Sequence, residues 1–429
     1  MSRILALTVI AAFLASFVVA GKGHTLAEQN CLGWEQSVDG PGSEENASAG
    51  RPVIDRLNGE MPYGQLLTAW LADNCMRLNY VQALGTHNSY HVEPRPPLLQ
   101  FIASIDPLAA ASVEYTHRLL DEQLSELGIR QVELDVFADP DGGLFAVPLG
   151  ALIFPKNPPT PDPIDPELLE PGLKVLHFPD VDFESTCLTF VSCLHAIKAW
   201  SDGHPGHLPV LILVEAKDEP PPIPPGVLPP GLPPPAVPVP FGADELDSID
   251  AEIRSVFSAD ELITPDDVRG RRDTLEEAVL KDGWPTLNES RGRVMFALDN
   301  DDAKRDTYIA DHSSLRGRVM FTNSPPGSPE AAFVEVDEPI GDLTYIQQLV
   351  ANGYLVRTRA DAETVEARFG LTARRDAALA SGAQFVSTDY PEPDPDFSSG
   401  YFVEIGGGVN QRCNPVLAPP GCDSSTFEP

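Results

Sequence analysis

The sequence predicts an α/β fold, an irregular (β/α)8 TIM-like barrel with an N-terminal extension and a disulfide-bearing C-terminal tail. Three observations predict it. Eight short apolar, β-rich runs recur along the 429 residues, at 81–87, 130–137, 173–178, 208–217, 293–299, 318–323, 354–361 and 383–390. Most are continuous rather than alternating, which suits strands buried on both faces of a parallel sheet. Amphipathic stretches at 114–128, 187–203, 243–257 and 361–382 lie between them, and the first two stop on Gly128 and Gly203. Strand and helix in alternation is the pattern of a closed parallel barrel.

Taken in order, residues 1–20 place Arg3 ahead of an apolar run that ends in small residues around Val18 and Ala20. This reads as a secretory signal cut after Ala20, because the run is short for a membrane span. Residues 21–80 form an extension expected to pack on the barrel, and 81–390 are the barrel itself. Within it, 138–172 is rich in Pro, Asp and Gly without a helical period, so a loop or hairpin is expected there. The segment 219–240, "EPPPIPPGVLPPGLPPPAVPVP", is low in complexity and should run as extended polyproline. It follows the fourth run and therefore rises from the C-terminal rim, as a passive linker, a wall or lid, or an apolar edge that touches lipid. "RGRVMF" occurs at 291–296 and again at 316–321, read as successive strands entered by a polar turn. Residues 391–429 are a Pro/Asp-rich, then Gly-rich tail.

Six cysteines fit an exported protein, with neighbours pairing as Cys31–Cys75, Cys187–Cys193 and Cys413–Cys422. None has the C-x-x-C spacing of a zinc site. The formal charge of −35 repels nucleic acid, and repels an anionic membrane unless a cation intervenes. No obligate protein partner is inferred.

Barrel enzymes carry their chemistry at the C-terminal ends of strands. Those ends bring His87 and Asn88 from the first run, Glu133 and Asp135 from the second, His177 from the third, and Glu215 and Lys217 from the fourth. The seventh brings Arg357, Arg359 and Asp361, and the eighth Thr388 and Asp389. Glu133 and Asp135 are two apart and share one strand face, either the lumen or the helix layer. At the lumen mouth they can share a cation with Asn88 and Glu215. Four oxygen donors completed by water suit a hard cation, Ca²⁺ before Mg²⁺. Histidine is a poor calcium ligand, which leaves His87 and His177 for proton work. Lys217, Arg357 and Arg359 are the cations available to a phosphate, with Lys217 equally suited to pairing Glu215 or Asp218 and one arginine to pairing Asp361.

"GTHNSY", "ELDVF", "LHFPDVDFESTC", "LPVLILVEAKD" and "GAQFVSTDY" resemble the calcium-dependent phosphatidylinositol-specific phospholipase C branch of the PLC-like phosphodiesterases. The resemblance runs from about Leu84 to Tyr390. It implies an incomplete barrel, Ca²⁺ on Asn88, Glu133, Asp135 and Glu215, and two catalytic histidines, His87 and His177. It further implies attack by the inositol 2-hydroxyl on phosphorus, with Glu133 or Glu215 as base, His87 on a non-bridging oxygen and His177 as general acid. The substrate expected is plain phosphatidylinositol at a membrane surface. Two readings compete: a glycerophosphodiester phosphodiesterase, whose family shows His-Arg-Gly where this chain has His87-Asn88-Ser89, and a non-catalytic calcium-binding barrel.

Overall fold

A computed structural model describes residues 74–406, 410–420 and 422–428. The expected signal, Cys31 and nearly all of the expected extension lie outside the described residues. The chain divides into two units. The smaller holds, among the described residues, 74–77, 286–289, 419, 420 and 422. The larger unit is the barrel.

Its strands are β1 (Val81–Thr86), β2 (Gln131–Phe137), β3 (Lys174–Val175), β4 (Val210–Ala216), β5 (Val294–Leu298), β6 (Met320–Thr322), β7 (Phe333–Glu335), β8 (Leu355–Arg359), β9 (Phe385–Thr388) and β10 (Gln411–Cys413). Eight of them are parallel staves in the order β6-β5-β4-β2-β1-β9-β8-β7. A parallel bridge between Asn323 and Phe333 links β6 to β7 and brings the barrel near closure. Val132, Leu134 and Val136 on β2, with Val210, Ile212 and Val214 on β4, are wholly buried. These continuous apolar runs explain why the strands sit inside a parallel sheet.

Two staves were read differently in the sequence. The run 173–178 is no stave: β3 is two residues long, pairs antiparallel with the end of β2, and lies off the barrel path. β2 pairs directly with β4, and the eighth stave is β7, between β6 and β8, whose run of three residues is too short to stand out. The two "RGRVMF" copies do become neighbouring staves, with Phe296 opposite Met320.

β1 and β2 touch in register only at Gly85 and Gln131. A side chain at 85 would meet the Gln131 amide at 2.0 Å, so glycine is required there. The tail returns as β10, antiparallel to the first half of β1.

The helices follow the expected pattern in part. Phe190–Gly203 begins at a capping box on Thr189, and Ala243–Val256 ends at Phe257. The stretch 361–382 splits into Val365–Phe369 and Ala373–Ser381 around Gly370, whose φ is 65°. The stretch 114–128 is helical only over Leu120–Ser125. Its first part is drawn off the helix because Tyr115 stacks on His91 and the His117 backbone N–H donates to the His91 carbonyl. Residues 138–172 form irregular loop with a short helix, Leu149–Ile153, and a single 3-10 turn, Pro166–Leu169.

Among the described residues no helix is long and apolar enough to cross a membrane. Cys187 and Cys193 are bridged, and Cys75, Cys413 and Cys422 are disulfide-bonded.

Candidate active site

The Glu-x-Asp face of β2 is the lumen face. Glu133 Oε2 accepts a 2.6 Å hydrogen bond from Arg357 Nη2 on β8. β2 and β8 are separated in the ring by β1 and β9, so this contact crosses the barrel interior. Parallel register sets Glu215 beside Asp135, on the same face. Asn88 directly follows the turn out of β1, with φ 44°, a left-handed conformation that Asn tolerates better than most residues. That turn lets the Ser89 N–H bond the Glu133 carbonyl at 2.9 Å, which holds the His-Asn pair over β2.

The oxygen set fits a hard cation. Asn88 Oδ1 and Asp135 Oδ1 are buried without a hydrogen-bond partner, a costly condition that an ion relieves. Asp135 Oδ2 faces Lys217 Nζ at 3.0 Å, and Glu215 Oε2 lies 3.7 Å from the same ammonium. Lys217 is thus a partner of Asp135 before Glu215, and its Nζ also sits 4.6 Å over the Phe178 ring. Although burial opposes it, Asp135 and Glu215 hold Lys217 charged. Glu215 is pushed up to about 8 by burial and the Asp135 charge. Burial likewise raises Glu133, against Arg357.

Each candidate histidine has its Nδ1 on a buried aspartate. His87 Nδ1 lies 2.8 Å from Asp389 Oδ1, which follows β9. His87 Nε2 lies 3.3 Å from Arg359 Nη1 and 3.5 Å from Glu133 Oε1. Burial and the Arg359 charge lower His87 to about 4. Arg359 also bonds Asp389 Oδ2 at 3.0 Å. The expected arginine pairing with Asp361 is replaced by this one, since Asp361 instead accepts from Thr388, the Asp389 backbone and Tyr401.

At the second histidine, His177 Nδ1 lies 2.7 Å from Asp182 Oδ2. Asp182 is shared with His91, whose Nε2 is 3.0 Å from both carboxylate oxygens and whose Nδ1 is 3.0 Å from the Tyr115 carbonyl. A carbonyl and a carboxylate both require donors, so both His91 nitrogens carry protons. Against burial, that pair of histidines keeps the Asp182 carboxyl below the usual range. Burial and the Lys217 charge lower His177. His91, His177 and Asp182 also present ligand atoms within 4.8 Å of one another, but the hydrogen bonds above account for that closeness.

His87, Glu133, Arg357, Arg359 and Asp389 come together through the contacts above, and Asp135, Glu215 and Lys217 do so beside them, whereas His177 is delivered by the loop beyond β3 rather than by a stave end. Arg357 is committed to protein partners, donating to Glu133, to Asp337 Oδ1 at 2.8 Å and to Ser387 Oγ at 2.9 Å. The residues missed were His91, Tyr115 and Asp182, with Asp299, Glu335 and Asp337 around Arg357. His91 directly follows the quoted "GTHNSY" and Asp182 lies within "LHFPDVDFESTC", so a His/Asp pair at the two motifs was the available signal.

A near-closed parallel barrel with two aspartate-backed imidazoles and a carboxylate cluster at its C-terminal mouth defines the PLC-like phosphodiesterase class. Within that class, residues 76–415 match the family model "Phosphoinositide phospholipase C, Ca2+-dependent", and the chain belongs to that family. It is therefore a phosphodiesterase of the phosphoinositide phospholipase C type, and calcium is the family's metal. Similar solved structures include a calcium-dependent phosphoinositol-specific phospholipase C from a Gram-negative Pseudomonas species. It is 17% identical, covers 80% of this chain and 96% of that one, and has a TM-score of 0.47. The calcium-dependent phosphatidylinositol-specific phospholipase C of Streptomyces antibioticus is 18% identical, with 74% and 95% covered and a TM-score of 0.43. No curated protein matches the sequence.

Proposed function

We propose that the chain is an exported enzyme that cleaves phosphatidylinositol at a membrane surface into diacylglycerol and inositol 1,2-cyclic phosphate. The observation that carries this reading is the pair of imidazoles, each with Nδ1 held by a buried aspartate, at a barrel mouth that also carries the Glu133, Asp135 and Glu215 carboxylates.

Asn88, Glu133, Asp135 and Glu215 would hold Ca²⁺, which when bound supplies a lowered hydroxyl pKa and offsets charge on the phosphate. The inositol 2-oxygen forms the new bond to phosphorus as the bond to the diacylglycerol oxygen breaks. Of the two carboxylates open as base, Glu215 is the more available, because a third of its side chain is exposed whereas Glu133 is committed to Arg357. Glu215 therefore takes the 2-hydroxyl proton. His87 Nε2, beside Arg359, meets a non-bridging oxygen; an anionic phosphate there opposes the depression that burial and Arg359 impose on His87. His177, oriented through Nδ1, gives the Nε2 proton to the departing oxygen.

The test is phosphatidylinositol cleavage followed by phosphorus NMR, offered beside glycerophosphocholine. Expected is a cyclic inositol phosphate, formed with Ca²⁺ and abolished by chelator. Turnover of glycerophosphocholine alone, or calcium binding with no turnover, would reject the reading.

A further inference from the structure

Between Glu219 and Asp244 the chain carries no charged residue, in a protein with 64 acidic and 29 basic side chains. The segment is fastened at the catalytic rim. Val239 bridges Ala138, just past the end of β2. The Phe241 N–H donates to Asp218 Oδ2 at 3.0 Å, just past β4. The Ala236 N–H donates to Asp180 Oδ2 at 2.7 Å, and the other Asp180 oxygen accepts from the Leu149 N–H at 2.8 Å. Asp180 is buried, has φ 68°, and stands three residues beyond His177. One side chain thus clips the proline segment and the 149–153 helix to the loop that carries the proposed acid.

What this assembly shows to solvent is apolar. Val237, next to the clip, is 76% exposed, and Val147 and Leu152 beside Leu149 are exposed as well. Ile223, Val227, Leu228 and Leu232 are half-exposed. Twelve of the residues in 219–240 are proline and bring no N–H groups that an apolar medium would leave unsatisfied. A surface this acidic cannot use a basic patch to hold an anionic lipid layer. Apolar contact is the attraction left to it.

We propose that this uncharged segment, with Val147 and Leu152, is the surface on which the enzyme seats against the bilayer carrying its substrate. The inference rests on the proposed membrane phosphatidylinositol substrate. It gives the segment a purpose beyond a linker: it brings the His177 loop to the lipid plane.

Two variants test it, Val237→Asp and the triple V147S/L152S/V237S, all at exposed positions. Each is assayed with Ca²⁺ on phosphatidylcholine–phosphatidylinositol vesicles and on short-chain phosphatidylinositol kept dispersed below its aggregation threshold. Vesicle co-sedimentation is measured in parallel. Loss of one valine from an apolar interface is worth about tenfold. Vesicle turnover and co-sedimentation should fall by at least about that factor, with dispersed-substrate turnover unchanged. Equal loss on both substrates, unchanged vesicle binding, or a lipid-free dimer that Val237→Asp dissociates would overturn the proposal. If the wild-type chain sediments through these residues yet cleaves neither substrate, the docking surface stands and the proposed function fails.

Discussion

The two histidine sites at the barrel mouth use the same local device on different foundations. On the His87 side the imidazole, its aspartate and its neighbouring arginine come from β1, β9 and β8, three adjacent staves. On the His177 side the imidazole and Asp182 come from one loop beyond the two-residue β3, and the brace is His91, reached across a turn after β1. The first site inherits its precision from the parallel ladder. The second must build precision from side chains, and does so with a carboxylate that accepts from two histidines at once. The difference predicts that the His177 side depends more steeply on single side-chain contacts.

The largest expected effect is removal of His177 itself. His177→Ala should lower kcat by about 10² to 10⁴-fold, the range for loss of a positioned general acid, with the thermal transition unchanged. A variant with full turnover would leave the proposed acid without a role.

Next in size is a paired comparison of the two aspartates. Asp182→Asn removes the acceptor that fixes His177, and should cost about 10² to 10³-fold in kcat with little change in KM. Asp389→Asn releases both His87 and Arg359, which it bonds at 2.8 and 3.0 Å, so KM should rise as well. Identical kinetic signatures for the two variants would dissolve the contrast between the sites.

The same contrast decides what the sequence could reveal. His87, Asn88, Glu133, Asp135 and Glu215 were legible because stave ends are local: a continuous apolar run followed by a polar group marks one. The lumen face of Glu133 was not legible, since only the contact from Arg357 across the ring distinguishes it from the helix face. The run 173–178 imitates a stave, yet Lys174 is buried in it with its ammonium on the Glu170 and Gly172 carbonyls and 3.4 Å from Asp139. That anchoring belongs to a loop. The stave 333–335 was missed because its partners, not its own three residues, make it a strand. Residues 114–128 have helical period, but tertiary stacking of Tyr115 on His91 outweighs local propensity over the first turn.

The smallest expected effect concerns the pH dependence of stability at the His87 site rather than rate. His87 falls from 6.5 to about 4 in the folded chain, through burial first and Arg359 second. As pH drops through 6.5 the unfolded chain takes up this proton before the folded one does, so stability declines from there down to about pH 4 and this contribution then levels off. A gap of that size corresponds to at most about 3 kcal/mol. Asp389 is lowered as well, held below 3.8 by His87 and Arg359 against its burial, so its contribution is lost only at lower pH. The two windows therefore do not overlap. In His87→Gln, which cannot titrate, the part of the stability slope between pH 6.5 and about 4 should flatten when denaturant midpoints are compared across that range. A variant whose slope matches the wild type there would show that the arginine-flanked site does not hold its imidazole neutral.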